Sequence, residues 1–151
     1  MLGLKARLNV IDNSGAILAE LINVYKVKTK RPKSVGFAAV GDVIKVVVSK
    51  ARSISDTQSN RSAATSSNVT KVRKGEMQKA LVTSCRQAEP RPDGRYVWFD
   101  QSSCVLLNNK EEMLGTRISA PVSAHLRDIQ GGTGVAGGRW SKVLALAPRV
   151  M

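Results

Sequence analysis

The stretch that decides the fold is Val40-Gly41-Asp42-Val43-Ile44-Lys45-Val46-Val47-Val48, a tight turn followed by the clearest strand of the chain. Glycine and aspartate favour turns, and β-branched residues favour extended backbone. Similar short apolar runs lie on both sides of it: Leu8–Ile11, Ala16–Val27, Ala80–Cys85 and Cys104–Leu107. Many short strands separated by turn residues predict a mainly β protein, a small antiparallel barrel. Within the second run we expect Leu18, Leu21, Ile22, Val24 and Val27 to face the core.

A second turn is predicted over Arg91-Pro92-Asp93-Gly94-Arg95, and it leads into an expected strand over Tyr96–Phe99. Proline presets the backbone of the first turn position, and Gly94 adopts positive φ without a Cβ clash. Rigid scaffolds often display binding groups on such tips. We therefore expect Arg91 and Arg95 to be held at the tip of a hairpin.

The last third of the chain favours short helices. Ser119 followed by Pro121 predicts a short helix through about Arg127, because serine caps helices and proline suits their first turn. Trp140–Ala147 is apolar, and its periodicity fits a helix or a strand equally well. The Ser, Thr and Asn content of residues 53–68 and the glycines of residues 131–138 predict surface loops.

The charge balance is one-sided, with 24 Lys and Arg against 11 Asp and Glu and a net charge of +13. Such an excess favours binding to a polyanion, nucleic acid first and an anionic membrane surface second. No apolar run approaches the ~20 residues of a membrane span, and we expect no membrane partner. Only six aromatic residues are present, so recognition of phosphates and shape is expected rather than base stacking.

The cations cluster on predicted loops, which is typical of a phosphate-binding surface. We expect RNA phosphates to be bound by Lys26, Lys28, Lys30, Arg31, Lys33, Lys50, Arg52, Lys71, Arg73, Lys74, Arg91 and Arg95. Three polar residues at the first turn have two open interpretations, hydrogen bonding to the RNA backbone or holding the turn: Asn9, Asn13 and Ser14.

Catalytic chemistry is not indicated. The motif Gly132-Thr133-Gly134-Val135-Ala136-Gly137 matches a dinucleotide fingerprint, but it lacks the strand before it and the helix after it. Cys85 and Cys104 have no metal-ligand spacing and lie in apolar runs, so both are expected to be buried thiols. We expect no metal and no cofactor. An enzyme using His125 or Cys85 is kept as a third class of function.

Ordered blocks of sequence extend through most of the chain. They are Leu8–Ala16, Val40–Lys45, Arg91–Gly94, Phe99–Asp100, Cys104–Asn109, Gly115–Ile118, Leu126–Arg127 and Ser141–Pro148. In this order, from about residue 7 to the end, they resemble the universal large-subunit ribosomal protein fourteen, the L-fourteen family of bacterial type. The sequence Gln87-Ala88-Glu89-Pro90 is less basic than the family pattern at that loop.

The resemblance implies a closed five-stranded antiparallel β-barrel with short C-terminal helices and extended basic loops. It also implies a structural, non-enzymatic constituent of the large ribosomal subunit that binds large-subunit rRNA at the subunit interface. Further implied partners are neighbouring large-subunit proteins, small-subunit rRNA at an intersubunit bridge, and a ribosome-silencing-type assembly factor. In similar proteins the silencing factor docks at positions matching Thr116, Arg117 and Lys142. The alternative is a free small-barrel nucleic-acid-binding protein or translation factor.

Departures from the family pattern suggest an organellar member. A single domain over residues 1–151 is expected, with insertions at 28–38, 53–69 and 130–139. Polar insertions on a bacterial-type core favour a mitochondrial location, the alternative being the bacterial cytoplasm. Family-like residues begin almost at Met1, and residues 1–10 hold Lys5 and Arg7 without an acid. We therefore expect any targeting signal to be uncleaved.

Overall fold

The computed structural model describes residues 1–25, 36–52, 71–128 and 138–151. Within these ranges the chain forms nine strands, one 3-10 helix and one α-helix. The strands are β1 Leu2–Gly3, β2 Arg7–Val10, β3 Ala16–Val24, β4 Phe37–Ala38, β5 Val43–Ala51, β6 Met77–Ser84, β7 Glu89–Pro90, β8 Tyr96–Val97 and β9 Ser103–Leu107. The 3-10 helix is Ala124–Arg127, and α1 is Ser141–Leu146.

Five strands form a closed barrel in the order β2-β3-β5-β6-β9, which confirms the fold expected from the sequence. The pairs within this order are antiparallel. The pair that closes the barrel is parallel, with Asn9 opposite Ser103 and Val10 opposite Cys104. The expected antiparallel pairing is therefore confirmed for four of the five strand pairs, and this seam is the exception. Parallel strands need a long connection between them, and here it comprises most of the chain.

The core is built from the inward residues of all five strands. Alternation sends every second side chain inside, so that Leu8, Leu21, Ile44 and Leu106 are fully buried. Leu81 pairs with Val43 and Val105 and therefore lies on the opposite face of β6, where it is also fully buried. The prediction that Ile22 faces the core is wrong, since its side chain is 42% exposed. It follows the inward Leu21 directly, and adjacent strand residues face opposite sides. Val27 lies outside the described residues.

Two small two-stranded sheets are separate from the barrel sheet. β1 pairs with β4, and β7 pairs with β8. The predicted turn between β7 and β8 is present, with the Gly94 amide donating to the Arg91 carbonyl and Gly94 at φ +79°. The strand that follows the turn is shorter than expected, because only Tyr96–Val97 pairs with β7 and not the whole of Tyr96–Phe99.

The helical segments differ in part from their predictions. The predicted helix begins at Ser123, whose hydroxyl accepts from the His125 amide, and not at Ser119. Ser119 instead donates its hydroxyl and its amide to the Ile11 carbonyl. The apolar Trp140–Ala147 run contains α1, and its buried residues Trp140 and Val143 are three positions apart, as one helical face requires.

No helix among the described residues has the length and apolar content needed to span a bilayer. The expected insertions fall largely on residues that the structure does not describe. An exception is Phe37–Ala38, inside the expected 28–38 insertion, which forms β4.

Candidate nucleic-acid interface

At one end of the barrel, hydrogen bonds connect the turn after β2 to several other segments of the chain. The Asp12 carboxylate accepts from the amides of Ser14 at 2.8 Å and Leu106 at 2.7 Å. Two carbonyls of this turn also accept hydrogen bonds: that of Gly15 from the Arg52 amide, and that of Ser14 from the Val72 amide. The turn is thereby bonded to three other segments of the chain, at Arg52, Val72 and Leu106.

Burial raises the pKa of the Asp12 carboxyl above its ordinary value, although its hydrogen bonds lower it. The carboxylate is therefore used within the fold, and it is not displayed to a ligand. Glu76, the acid in the turn before β6, also accepts hydrogen bonds from residues of this chain. It accepts from the Arg73 amide at 3.1 Å and from the Gln78 amide group at 2.6 Å.

We call the cations at this end the cationic rim; its members are Lys50, Arg52, Lys71, Arg73, Lys74 and Arg117. Lys71 is half-buried and the other five are exposed. The turn that carries Arg73 and Lys74 is fixed beside β5, because Gly75 donates its amide to the Val48 carbonyl. Among the described residues, none of the six cations is paired with an acid.

Asn13 holds the loop that carries the predicted partner-binding residues Thr116 and Arg117. Its side-chain oxygen accepts from the amides of Thr116 at 2.7 Å and Arg117 at 3.3 Å, and its NH2 group donates to the Thr116 hydroxyl at 3.0 Å. Both side chains on this loop are exposed. The loop needs glycine at Gly115, since a Cβ there would lie 2.7 Å from the Asn13 side-chain oxygen.

The remaining polar residues of this region have internal partners or no access to solvent. Asn9 donates its side-chain NH2 to the Gln101 side-chain oxygen. Ser14 is completely buried, and its hydroxyl has no hydrogen-bond partner among the described residues. For Asn13 and Ser14 the geometry favours holding the turn over contact with an RNA backbone.

Lys142, the third predicted partner-binding residue, is exposed on α1. The segment leading into α1 is tied to the loop before Gly115 by an ion pair between Arg139 and Glu111. The Arg139 guanidinium also lies over the Trp140 ring, 4.9 Å from its centroid. The helix that carries Lys142 is therefore tied to the segment that precedes the loop of Thr116 and Arg117 in the chain.

A second cationic zone was missed by the sequence reasoning. Lys45 of β5 lies directly opposite Lys79 of β6, at the far end of β5 from the cationic rim. Lys79 donates to the Asn109 carbonyl at 3.4 Å and lies 5.7 Å from the centroid of the Tyr25 ring. Like charges in direct cross-strand positions are destabilising by themselves. Only the strand register reveals this pair, so the sequence carried no signal for it.

Tyr25 also marks where the predicted Lys26–Lys33 loop leaves the barrel, since its amide donates to the Val43 carbonyl. The predicted RNA-binding residues Lys26, Lys28, Lys30, Arg31 and Lys33 lie outside the described residues. The second cationic zone therefore lies at the base of that loop.

The predicted display of both hairpin arginines is wrong for Arg91. Its guanidinium donates to the Ser123 hydroxyl at 3.2 Å and the Met151 carbonyl at 2.9 Å, and it lies 3.7 Å from the Glu89 carboxylate. Its side chain is only 11% exposed. Arg95 does remain on the surface, where it pairs with Asp93. The long arginine stem folds back because the C-terminal residues offer it oxygen acceptors.

Both cysteines are buried, as expected. Cys85 and His125 line a mostly apolar cavity of about 230 Å³. Burial is the largest of the causes that raise the pKa of the Cys85 thiol to about 11; the N-terminal ammonium group lowers this pKa, and the carboxylates of Glu89 and Asp42 raise it. Burial also raises the pKa of the Cys104 thiol. Neither is a nucleophile at neutral pH, because the thiolate is the reactive form.

Alkylation of the folded protein tests these thiol environments. At pH 8 we expect iodoacetamide to leave both cysteines almost unmodified, since a pKa of about 11 keeps Cys85 protonated. Labelling of Cys85 should rise as the pH approaches 11, and both cysteines should react once the chain is unfolded in urea. Mass spectrometry of tryptic peptides measures each site, and rapid labelling of folded Cys85 at pH 8 would contradict the expectation.

No group of three or more His, Cys, Asp or Glu side chains that could hold a metal ion occurs among the described residues. What the arrangement does offer is a set of exposed cations on a rigid end of a barrel. Guanidinium and ammonium groups suit phosphate oxygens.

The chain matches the family described as Ribosomal protein L14p/L23e over residues 1–151. It is 41% identical over 151 residues to the large ribosomal subunit protein uL14m of Schizosaccharomyces pombe, with 100% of both chains covered. It is 39% identical over 148 residues to the protein of the same name from Neurospora crassa, with 98% of both chains covered.

These relatives are named as mitochondrial ribosomal proteins, which confirms the mitochondrial location expected from the sequence. The family consists of structural ribosomal proteins, so the non-enzymatic role is confirmed as well. The chain belongs to the L14p/L23e family of large-subunit ribosomal proteins, as a mitochondrial member.

Proposed function

We propose that this chain is a structural constituent of the large mitochondrial ribosomal subunit and binds large-subunit rRNA through five cations of the cationic rim, Lys50, Arg52, Lys71, Arg73 and Lys74. The observation that carries the proposal is the rim itself. Gly15, Ser14 and Asn13 accept hydrogen bonds from the amides of Arg52, Val72 and Thr116, which holds four chain segments together at one barrel end. The six cations gathered there have no acid partner among the described residues. Such a concentration of like charge is stabilised when phosphates neutralise it.

The second cationic zone supports contact with RNA along a second side of the barrel. Lys45 and Lys79 face each other across β5 and β6 without an acid between them. An RNA backbone lying across both strands neutralises this repulsion. The Lys26–Lys33 loop, which begins beside Tyr25, extends the same contact in our proposal.

A protein contact and an intersubunit contact are proposed for the loop held by Asn13. Thr116 and Arg117 offer a hydroxyl and a guanidinium from a backbone fixed at two amides, and Lys142 adds an ammonium group on α1. These groups suit the acidic side chains of a silencing-type assembly factor or the phosphates of small-subunit rRNA at a bridge. Neighbouring large-subunit proteins are the further proposed partners.

The rim contact is tested by the salt dependence of RNA binding. In the variant with Lys50, Arg73 and Lys74 all replaced by alanine, we expect the slope of log K against log salt to decrease in magnitude by about 2 to 3. The reason is that each lost phosphate contact removes about 0.7 to 0.9 from that slope. Filter binding of the purified chain to an rRNA fragment over a salt series gives the measurement.

The matched control replaces Arg7, Arg127 and Arg149, three exposed cations that belong neither to the rim nor to the second cationic zone. It removes the same charge, so a specific rim contact requires a clearly smaller loss of slope in the control. Equal slopes for both variants would exclude the rim from the interface. Sedimentation separates the alternative function, since a ribosomal constituent remains with large subunits after a high-salt wash and a free nucleic-acid-binding protein does not.

A further inference from the structure

The hairpin of β7 and β8 exposes two large aromatic rings on one face. Tyr96 is 64% exposed and Trp98 is 65% exposed. Val97 between them and Phe99 after them are half-buried. This alternation is that of an extended chain, in which residues two positions apart share a face. The Phe99 amide donates to the Cys85 carbonyl, which keeps the chain extended beyond the end of β8.

The opposite strand leaves both rings uncovered. Pro90 is paired with Tyr96 and Glu89 with Val97, so the next position, Ala88, lies across from Trp98. Ala88 and Pro90 are small, exposed residues that cannot cover an indole or a phenol ring. The other face of the hairpin packs inward, where the Glu89 carboxylate accepts from the Ser123 hydroxyl at 2.7 Å. One face is therefore structural, and the other is exposed to solvent.

The positions of the two aromatic residues along the strand suit a nucleobase. A strand advances about 3.3 Å per residue, so the backbone positions of Tyr96 and Trp98 are about 6.6 Å apart. Stacked bases lie about 3.4 Å apart. Rings that stand parallel at about twice that distance accept one flat base between them, with a stacking contact on each side.

The charges around this face favour RNA over a protein segment. The positions on the face, 88, 90, 96 and 98, all lie in the described part of the chain and include no acid. Arg86 and Arg95 flank the face, and both are exposed. Asp93 is turned to the Arg95 amide and guanidinium, and Asp100, two positions after Trp98, is an exposed acid at the end of the face. A nucleotide needs this combination, a planar surface for the base and a guanidinium for its phosphate.

We propose that Tyr96 and Trp98 form a binding site for one unstacked base of single-stranded RNA, with Arg95 or Arg86 on the adjoining phosphate. The site rests on the proposed RNA binding and adds base stacking to a contact otherwise made with phosphates. The small number of aromatic residues in the sequence favours recognition of phosphates and shape over base stacking. The fold, however, concentrates two of the six aromatic residues on one exposed face.

Tryptophan fluorescence of the full chain tests the site directly. Trp98 is exposed, whereas the second tryptophan, Trp140, is 3% exposed and serves as an internal reference. A short single-stranded oligoadenylate is expected to quench the solvent-exposed component of emission. Inorganic polyphosphate, which carries charge but no base, is expected to bind without this quenching. Trp98→Ala should weaken oligoadenylate binding roughly 5- to 150-fold, the effect of losing a stacked base.

Phe37→Ala is the matched control, because Phe37 is an exposed aromatic residue on β4, outside the hairpin. It is expected to leave oligoadenylate affinity unchanged. If the wild-type chain binds neither probe at low salt, the RNA function fails and the stacking site fails with it. If both probes bind and Trp98→Ala binds oligoadenylate as tightly as the wild type, the result supports the proposed RNA binding by the protein. The aromatic face is then a protein contact, and the proposed base site is overturned.

Discussion

Replacement of Gly115 by alanine is expected to destabilise the fold by about 2 to 4 kcal/mol. The new Cβ would lie 2.7 Å from the Asn13 side-chain oxygen and 2.9 Å from the Asp12 Cβ. Asp12 cannot retreat, because its carboxylate is bound to the amides of Ser14 and Leu106. Overpacking costs about 1 to 3 kcal/mol, and each hydrogen bond lost from Asn13 adds roughly 1 kcal/mol.

Urea unfolding followed by circular dichroism measures this loss. Gly3→Ala is the control, since a Cβ at Gly3 has no atom within 4 Å. Its urea midpoint should remain close to that of the wild type. A Gly115→Ala midpoint equal to that of the wild type would show that the loop carrying Thr116 and Arg117 is not held by Asn13 as described.

Leu106→Ala is expected to cost about 2 to 5 kcal/mol, the range for truncating a fully buried leucine. Leu106 is completely buried on β9, the strand that closes the barrel. Its partner on β6 is Ala80, which is also buried and has no side-chain length with which to fill the space. Two facing alanines would leave a cavity beside the closing seam.

Thermal and urea unfolding again give the measurement, and Leu4→Ala supplies the comparison. Leu4 is 55% exposed, so its truncation should change stability by less than about 0.5 kcal/mol. Similar losses for the two variants would mean that β9 is not packed in the core.

The barrel strands were predictable because each carries a local pattern. The Val43–Val48 run and its flanking turn predict β5 directly, and four similar runs predict its neighbours. The parallel pairing of β2 with β9 had no local signal, since it depends on two segments at opposite ends of the strand order. Ser119 was a reasonable helix cap by composition. Its hydroxyl instead donates a hydrogen bond to the Ile11 carbonyl, more than a hundred positions earlier in the sequence.

The candidate site was predictable as a set of charges but not as a geometry. Exposed loop cations such as Arg73 and Lys74 could be named from the sequence, because loops whose charged residues all carry the same sign are rarely buried. The sequence could not show that Arg91, unlike these cations, is bonded within the fold, since its acceptors at Ser123 and Met151 are distant in sequence. The facing pair of Lys45 and Lys79 depends on strand register, which emerges only when the barrel forms.

The seam between β2 and β9 also governs how the nascent chain folds. Asn9 and Val10 leave the translating ribosome early, whereas Ser103 and Cys104 are made only after most of the chain. At about 5 to 20 residues per second, the interval is roughly 5 to 20 seconds. During that time the outer edge of β2 has unpaired amides and carbonyls, the edge that promotes aggregation. Until β9 is in place, this edge is open to pairing with another chain, so closure of the seam is the step that protects the barrel from aggregation.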